Sequence, residues 1–142
     1  MLYENENGKV KLSKEFEFIR SYIDLMKLRF ADENVISLNI PEKYNDVQIP
    51  ALLFISYIEN AFYYGVSYEN ECRIQISFNI VDNMLFFSCE NIKQSLVITI
   101  EKSFLDIENN KKQLDRLYGD RYSLTINSPE KYFDVTLKIP LT

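Results

Sequence analysis

The sequence has no histidine and no tryptophan, and among its 142 residues it has only three glycines, four prolines and two cysteines. Each shortage removes a class of function. Without histidine there is no Ser-His-Asp or Cys-His nucleophile system, and a zinc site loses one of its commonest ligands. Nothing in this chain can be phosphorylated on histidine. The cysteines, Cys72 and Cys89, lie far apart, fit no CxxC spacing and sit in apolar, strand-like runs. They read as two small buried hydrophobes suited to a reducing cytoplasm. No apolar run approaches the ~20 residues that span a bilayer, and no signal-peptide pattern opens the chain, so the domain reads as soluble. Positive charge is short as well. Sixteen Lys and Arg against 21 Asp and Glu leave a net charge of -5 and a pI near 4.8. The basic face that neutralises nucleic-acid phosphates is missing, which excludes that partner.

Apolar and aromatic residues are plentiful, at 46% and 14%, with ten Phe and ten Tyr. That suffices for one compact domain with a core of packed rings, and it excludes disorder over most of the length. The polar stretch 1–10 reads as a frayed end. Ser13 predicts an N-cap, with Glu15 and Glu17 in the first turn of an amphipathic helix running to about residue 29. Leu12, Phe16, Ile19, Ile23, Met26 and Phe30 alternate spacings of four and three. This heptad-like seam packs within the domain or against a partner helix, and so permits a homodimer.

Residues 35–40 alternate as a strand. Pro50 predicts the start of a second helix that stops at Gly65. Residues 73–80 and 84–89 form a hairpin around Asp82-Asn83. Residues 95–100 look strand-like. A third helix is expected over 104–118, ending at Gly119, and a second hairpin pairs 122–126 with 133–139 around Pro129. This order predicts an α+β two-layer sandwich, a mixed and mostly antiparallel sheet covered on one face by about three helices.

The second helix is apolar almost all round, as a buried helix is. Yet it carries Glu59 and Asn60 side by side. A buried carboxylate is costly unless it is paired, neutralised or facing a polar cleft. On those residues alone, a structural Glu paired with a lysine accounts for it.

Four segments bear on the choice. Ile58-Glu59-Asn60-Ala61-Phe62-Tyr63-Tyr64-Gly65 resembles the N box of the GHKL ATPase superfamily. Leu12 to Ile19 and Tyr22 to Phe30 resemble the linker helix of LytS-type sensor histidine kinases. Ile49-Pro50-Ala51-Leu52-Leu53 resembles the segment leading into the N box, and Leu117-Tyr118-Gly119-Asp120-Arg121-Tyr122-Ser123-Leu124 the late helix-to-strand junction. The match runs in order over nearly the whole chain.

The resemblance implies the Bergerat ATPase fold. It divides the chain into a flexible end over 1–12, a linker helix over 13–31 and an ATPase-like body over 32–142. It implies ATP and Mg²⁺ as ligands. Asn60 matches the position that coordinates Mg²⁺ through its amide oxygen, and Glu59 the general base. The implied partners are the phosphoacceptor and dimerisation helices of a parent kinase and a response regulator. The implied place is the cytoplasmic side of a membrane-anchored parent.

The same resemblance exposes departures. Tyr63 and Tyr64 stand where the family commonly has Lys and His. The Asp-x-Gly-x-Gly motif aligns with Asn91-Ile92-Lys93, so Asn91 is left to meet an adenine edge and Lys93 to supply charge. The glycines of the third motif fall on Phe104 and Asp106, and Asp106 at a helix N-terminus would repel phosphate. Asn109 keeps a position that is polar in the family. No glycine remains for a mobile lid. The expected function is thus an ATP-binding histidine kinase domain with weakened or lost nucleotide binding. The alternative is an inactive pseudokinase module for dimerisation or regulator docking.

Overall fold

The computed structural model describes residues 8–28, 36–65, 74–92, 100–127 and 132–141, with the backbone alone for 63–65, 92, 100–107 and 132–133. The elements follow as β1 (Lys9–Lys11), α1 (Leu12–Lys27), β2 (Ile36–Asn39), β3 (Gln48–Pro50), α2 (Ile55–Gly65), β4 (Ile74–Val81), β5 (Met84–Ile92), α3 (Ile100–Tyr118), β6 (Ser123–Asn127) and β7 (Tyr132–Pro140). Five strands form one sheet in the order β2-β4-β5-β7-β6, and β1 pairs separately with β3. Only β2 against β4 is parallel; the other neighbours in the sheet are antiparallel. The expected mixed, mostly antiparallel two-layer sandwich is the fold observed.

Alternation decides which side of the sheet is covered. Ile74, Ile76 and Phe78 of β4, Leu85, Phe87 and Cys89 of β5, and Val135, Leu137 and Ile139 of β7 are buried. They meet Phe16, Ile19 and Ile23 of α1 and Phe54, Tyr57, Ile58 and Ala61 from the α2 segment in one core. Rings dominate its centre. Phe78 lies 5.0 Å from Phe16, 5.1 Å from Phe54 and 5.1 Å from Phe87, centroid to centroid. Such edge and tilted ring pairs add to the burial of area alone. Cys89 is a buried thiol whose pKa desolvation drives up, so it behaves as a hydrophobe. Cys72 lies outside the described residues.

Asp82 and Asn83 both adopt left-handed backbone, φ +52° and +61° for the two, as a tight hairpin turn between β4 and β5 requires. Gly119, at φ +62°, closes α3 by donating its N–H to the Asp115 carbonyl at 2.9 Å.

Several boundaries differ from the sequence reading, each for a local reason. Residues 9–11 are not frayed: they pair antiparallel with 48–50, and Val10 is buried. Ser13 is not the N-cap of α1. That position is Lys11, which makes no side-chain cap. The cap is brought from afar by Asp46, whose carboxylate accepts from the Ser13 N–H at 2.8 Å and from its hydroxyl at 2.6 Å. Pro50 ends β3 instead of opening α2, because Leu52 turns the chain through φ +61° and delays the helix to Ile55. The third helix begins at Ile100, so Ile100 is helical and not part of a strand. Phe104 and Asp106 therefore fall in the second turn and not at the helix N-terminus.

Candidate functional site

The helix α2 packs over β5 and β4 and against α3, which brings the N-box segment onto elements that touch those of Asn91 and Asn109. Within α2 the 3.6-residue period sorts its polar residues. Asn60 follows Tyr57 by three positions and is buried with it, only 6% exposed, whereas Glu59 points to solvent. Asn91 lies on β5 four residues beyond Phe87, hence on the same covered face, and is 2% exposed.

Both asparagines are unsatisfied. The Asn60 Nδ2 has no hydrogen-bond partner, and neither the Oδ1 nor the Nδ2 of Asn91 has one. Buried amides are nearly always bonded, and each that is not demands a cause. Five such side-chain atoms are unpartnered among the described residues, and three of them belong to these two positions. The free donor and acceptor of Asn91 fit a purine edge, and at Asn60 the free atom is the Nδ2 donor. An amide can meet the donor and acceptor edge of a purine, and an amide oxygen is a hard ligand of the kind Mg²⁺ takes.

Asn109 and its neighbour Asn110 part company. Asn109 is exposed on α3, while Asn110 is buried and turned toward α2. There it accepts from the Tyr57 hydroxyl at 2.6 Å and donates to the Leu53 carbonyl at 3.2 Å. The phenol of Tyr57 is held neutral, its pKa raised by burial. The sequence reading missed this clasp between α2 and α3. Asn110 shares a stripe with Leu114 four residues on, and a polar residue on that stripe was the available signal. Tyr63 and Tyr64 fall in the last turn of α2, and Lys93 lies outside the described residues.

The late junction is built as a unit. Arg121 donates both its backbone N–H, at 3.0 Å, and its Nε, at 3.3 Å, to the Tyr118 carbonyl. The Tyr122 hydroxyl donates to Asp115, and this bond first of all pushes the phenol up to about 12. The hairpin β6–β7 is thereby tied to the end of α3.

No protein-family model matches the chain. It is 26% identical over 133 residues to the sensor histidine kinase BtsS of Escherichia coli strain K12, covering 92% of this chain and 24% of that protein. It is 24% identical over 146 residues to the sensor protein LytS of Oceanobacillus iheyensis, covering 92% of this chain and 25% of that protein. The chain thus spans about a quarter of the length of these curated relatives. Among solved structures, a catalytic domain of histidine kinase ThkA superposes with a TM-score of 0.66 at 16% identity, over 94% of this chain and 98% of that one. The histidine kinase domain of a blue-light activated kinase from Erythrobacter litoralis gives 0.59 at 13% identity, over 88% of this chain and 64% of the other. The chain is thus similar along nearly its whole length to sensor histidine kinases of the LytS and BtsS kind, and it has the fold of histidine kinase catalytic domains.

Proposed function

We propose that this chain is the ATP-binding domain of a two-component sensor histidine kinase whose nucleotide pocket is weakened but still in use. The observation that carries the reading is the buried amide of Asn91, unpartnered at both Oδ1 and Nδ2, together with the buried Asn60, unpartnered at Nδ2. Such amides cost stability unless something binds them.

Bound Mg²⁺-ATP would supply the transferable phosphoryl group with its charge partly neutralised. Asn91 presents donor and acceptor to the adenine edge. Asn60 offers its amide oxygen toward the metal. Glu59, exposed at the next position, stands where a general base would take the proton of the attacking group. The acceptor is a histidine on the dimerisation helices of the parent kinase, since this chain has none. A response regulator then receives the phosphoryl group. On this reading α1 belongs to the linker helix over 13–31, the body over 32–142 holds the nucleotide, and the domain works on the cytoplasmic side. No described helix is long and apolar enough to cross a membrane.

Weakening follows from what the pocket lacks. The aromatics Tyr63 and Tyr64 stand at the cationic positions of the N box, and beyond Gly8 the chain keeps only Gly65 and Gly119. A net charge of -5 also repels a polyanion. Those losses favour a second reading, a non-catalytic relative that keeps the fold for dimer geometry or regulator docking.

Side-chain amide resonances separate the two. Titration with Mg²⁺-ATP should move the NH₂ signals of Asn91 and Asn60, the latter only when Mg²⁺ is present, while Asn110 stays still. Signals of Asn60 and Asn91 that never move would leave the non-catalytic reading.

A further inference from the structure

Glu15 of α1 is fully buried, at 0% exposure, between Leu12 and Phe16, and neither carboxyl oxygen makes a hydrogen bond. What it faces is the lead-in to α2, the turn 51–54, where the Leu52 and Leu53 amides lie near enough to offset part of its loss of water although neither reaches full hydrogen-bond geometry. Leu52 in that turn is held at φ +61°, outside the region most side chains prefer. A carboxylate lodged there is poorly compensated; a neutral acid costs far less. We propose that α1 is seated on this turn by a proton-dependent latch, in which Glu15 docks as the neutral acid and release of its proton to solvent loosens the helix.

No neighbouring charge offers another way to neutralise it. On β1 the charged residues are Lys9 and Lys11, in the loop before β3 they are Glu42, Lys43 and Asp46, and on α2 there is Glu59. All of these stand at the surface. On α1 itself Lys14 pairs with Glu17 at 3.7 Å, both exposed, and β4 and the turn 51–54 carry no charge. Desolvation is the largest influence on the acid, raising its pKa from 4.5, and no charged side chain figures among the rest. The sign follows from linkage. Between 4.5 and the raised value the seated helix binds one more proton than the released one. The latch is therefore complete below about 4.5 and is lost as pH rises through the raised value. Asp46 works the other way and in another range, since its bonds to Ser13 hold it below 3.8. The latch needs no nucleotide, so it stands apart from the function proposed above.

The test is a carboxyl-detected NMR titration of Glu15 in the whole chain, with hydrogen exchange of α1 read against β5 in the wild type and in Glu15→Gln. The latch predicts a Glu15 midpoint above 4.5. It predicts α1 protection falling by up to about tenfold per pH unit between 4.5 and that midpoint and levelling off above it, and a flat profile in Glu15→Gln. A midpoint at or below 4.5 would overturn the proposal, as would a Gln variant that loosens α1 at every pH. The latter result would show an ionised Glu15 held by the two amides. Should Glu15→Gln fail to fold, the wild-type titration still decides.

Discussion

Three buried asparagines differ in how far the fold satisfies them. Asn110 is fully used, bonded to Tyr57 and to the Leu53 carbonyl, whereas Asn60 and Asn91 keep amide atoms in reserve. Their substitutions should part accordingly. Asn110→Ala strands a buried hydroxyl and a buried carbonyl and should cost about 1–3 kcal/mol in urea unfolding. Joined with Tyr57→Phe it should cost clearly less than the two single changes summed, and strict additivity would deny the clasp. Asn91→Leu removes two unpartnered atoms at similar volume and should stabilise the ligand-free chain by roughly 1 kcal/mol while abolishing any nucleotide response. Loss of stability there would mean that Asn91 is satisfied by the fold itself. At this scale Glu59 and Asn60 stood out in the sequence because a polar pair interrupts an apolar helix, and the structure exposes the first and buries the second. Asn110 and Glu15 did not stand out, since a lone polar residue in a helical pattern does not reveal whether its face is covered.

Elements were legible wherever a local rule fixes them. Asp82-Asn83 spells a hairpin turn, and Gly119 a helix stop; both are observed with the backbone they require. Boundaries set by distant residues were not readable. Proline is as acceptable at the end of an edge strand as at the first position of a helix, and only the backbone turn at Leu52 decides between them at Pro50. The α1 cap comes from Asp46, 33 residues away from Ser13. Asp46→Ala should therefore weaken α1 by about 1 kcal/mol, read as lost amide protection confined to the first turns of that helix. Because Asp46 has a lowered pKa, its share of the stability is present above 3.8 and fades as pH falls through the depressed value. Protection of α1 that is unchanged in the variant would place the cap elsewhere.

For the whole molecule, the order of helices and hairpins sufficed to give the fold class, because β4–β5 and β6–β7 each pair with their neighbour in the chain. The placement of β2 beside β4 in parallel, and the small β1–β3 ladder, arise from packing that no local pattern encodes. The motifs of the site were legible as a family resemblance, and the strength of the site is a property of the ensemble. The proposed site has Glu59, Asn60 and Asn91 to work with, it lacks the glycines and cations of the family pattern, and the chain around it is acidic. The thermal unfolding midpoint with increasing Mg²⁺-ATP tests that balance most directly. A ligand at a hundred times its dissociation constant adds about 2.7 kcal/mol, worth several degrees in a domain of this size. The account predicts a Mg²⁺-dependent rise that begins only at millimolar nucleotide and is missing in Asn91→Leu. A midpoint unmoved at tens of millimolar would contradict the nucleotide-binding reading, and a full rise at micromolar ATP would contradict the weakened pocket.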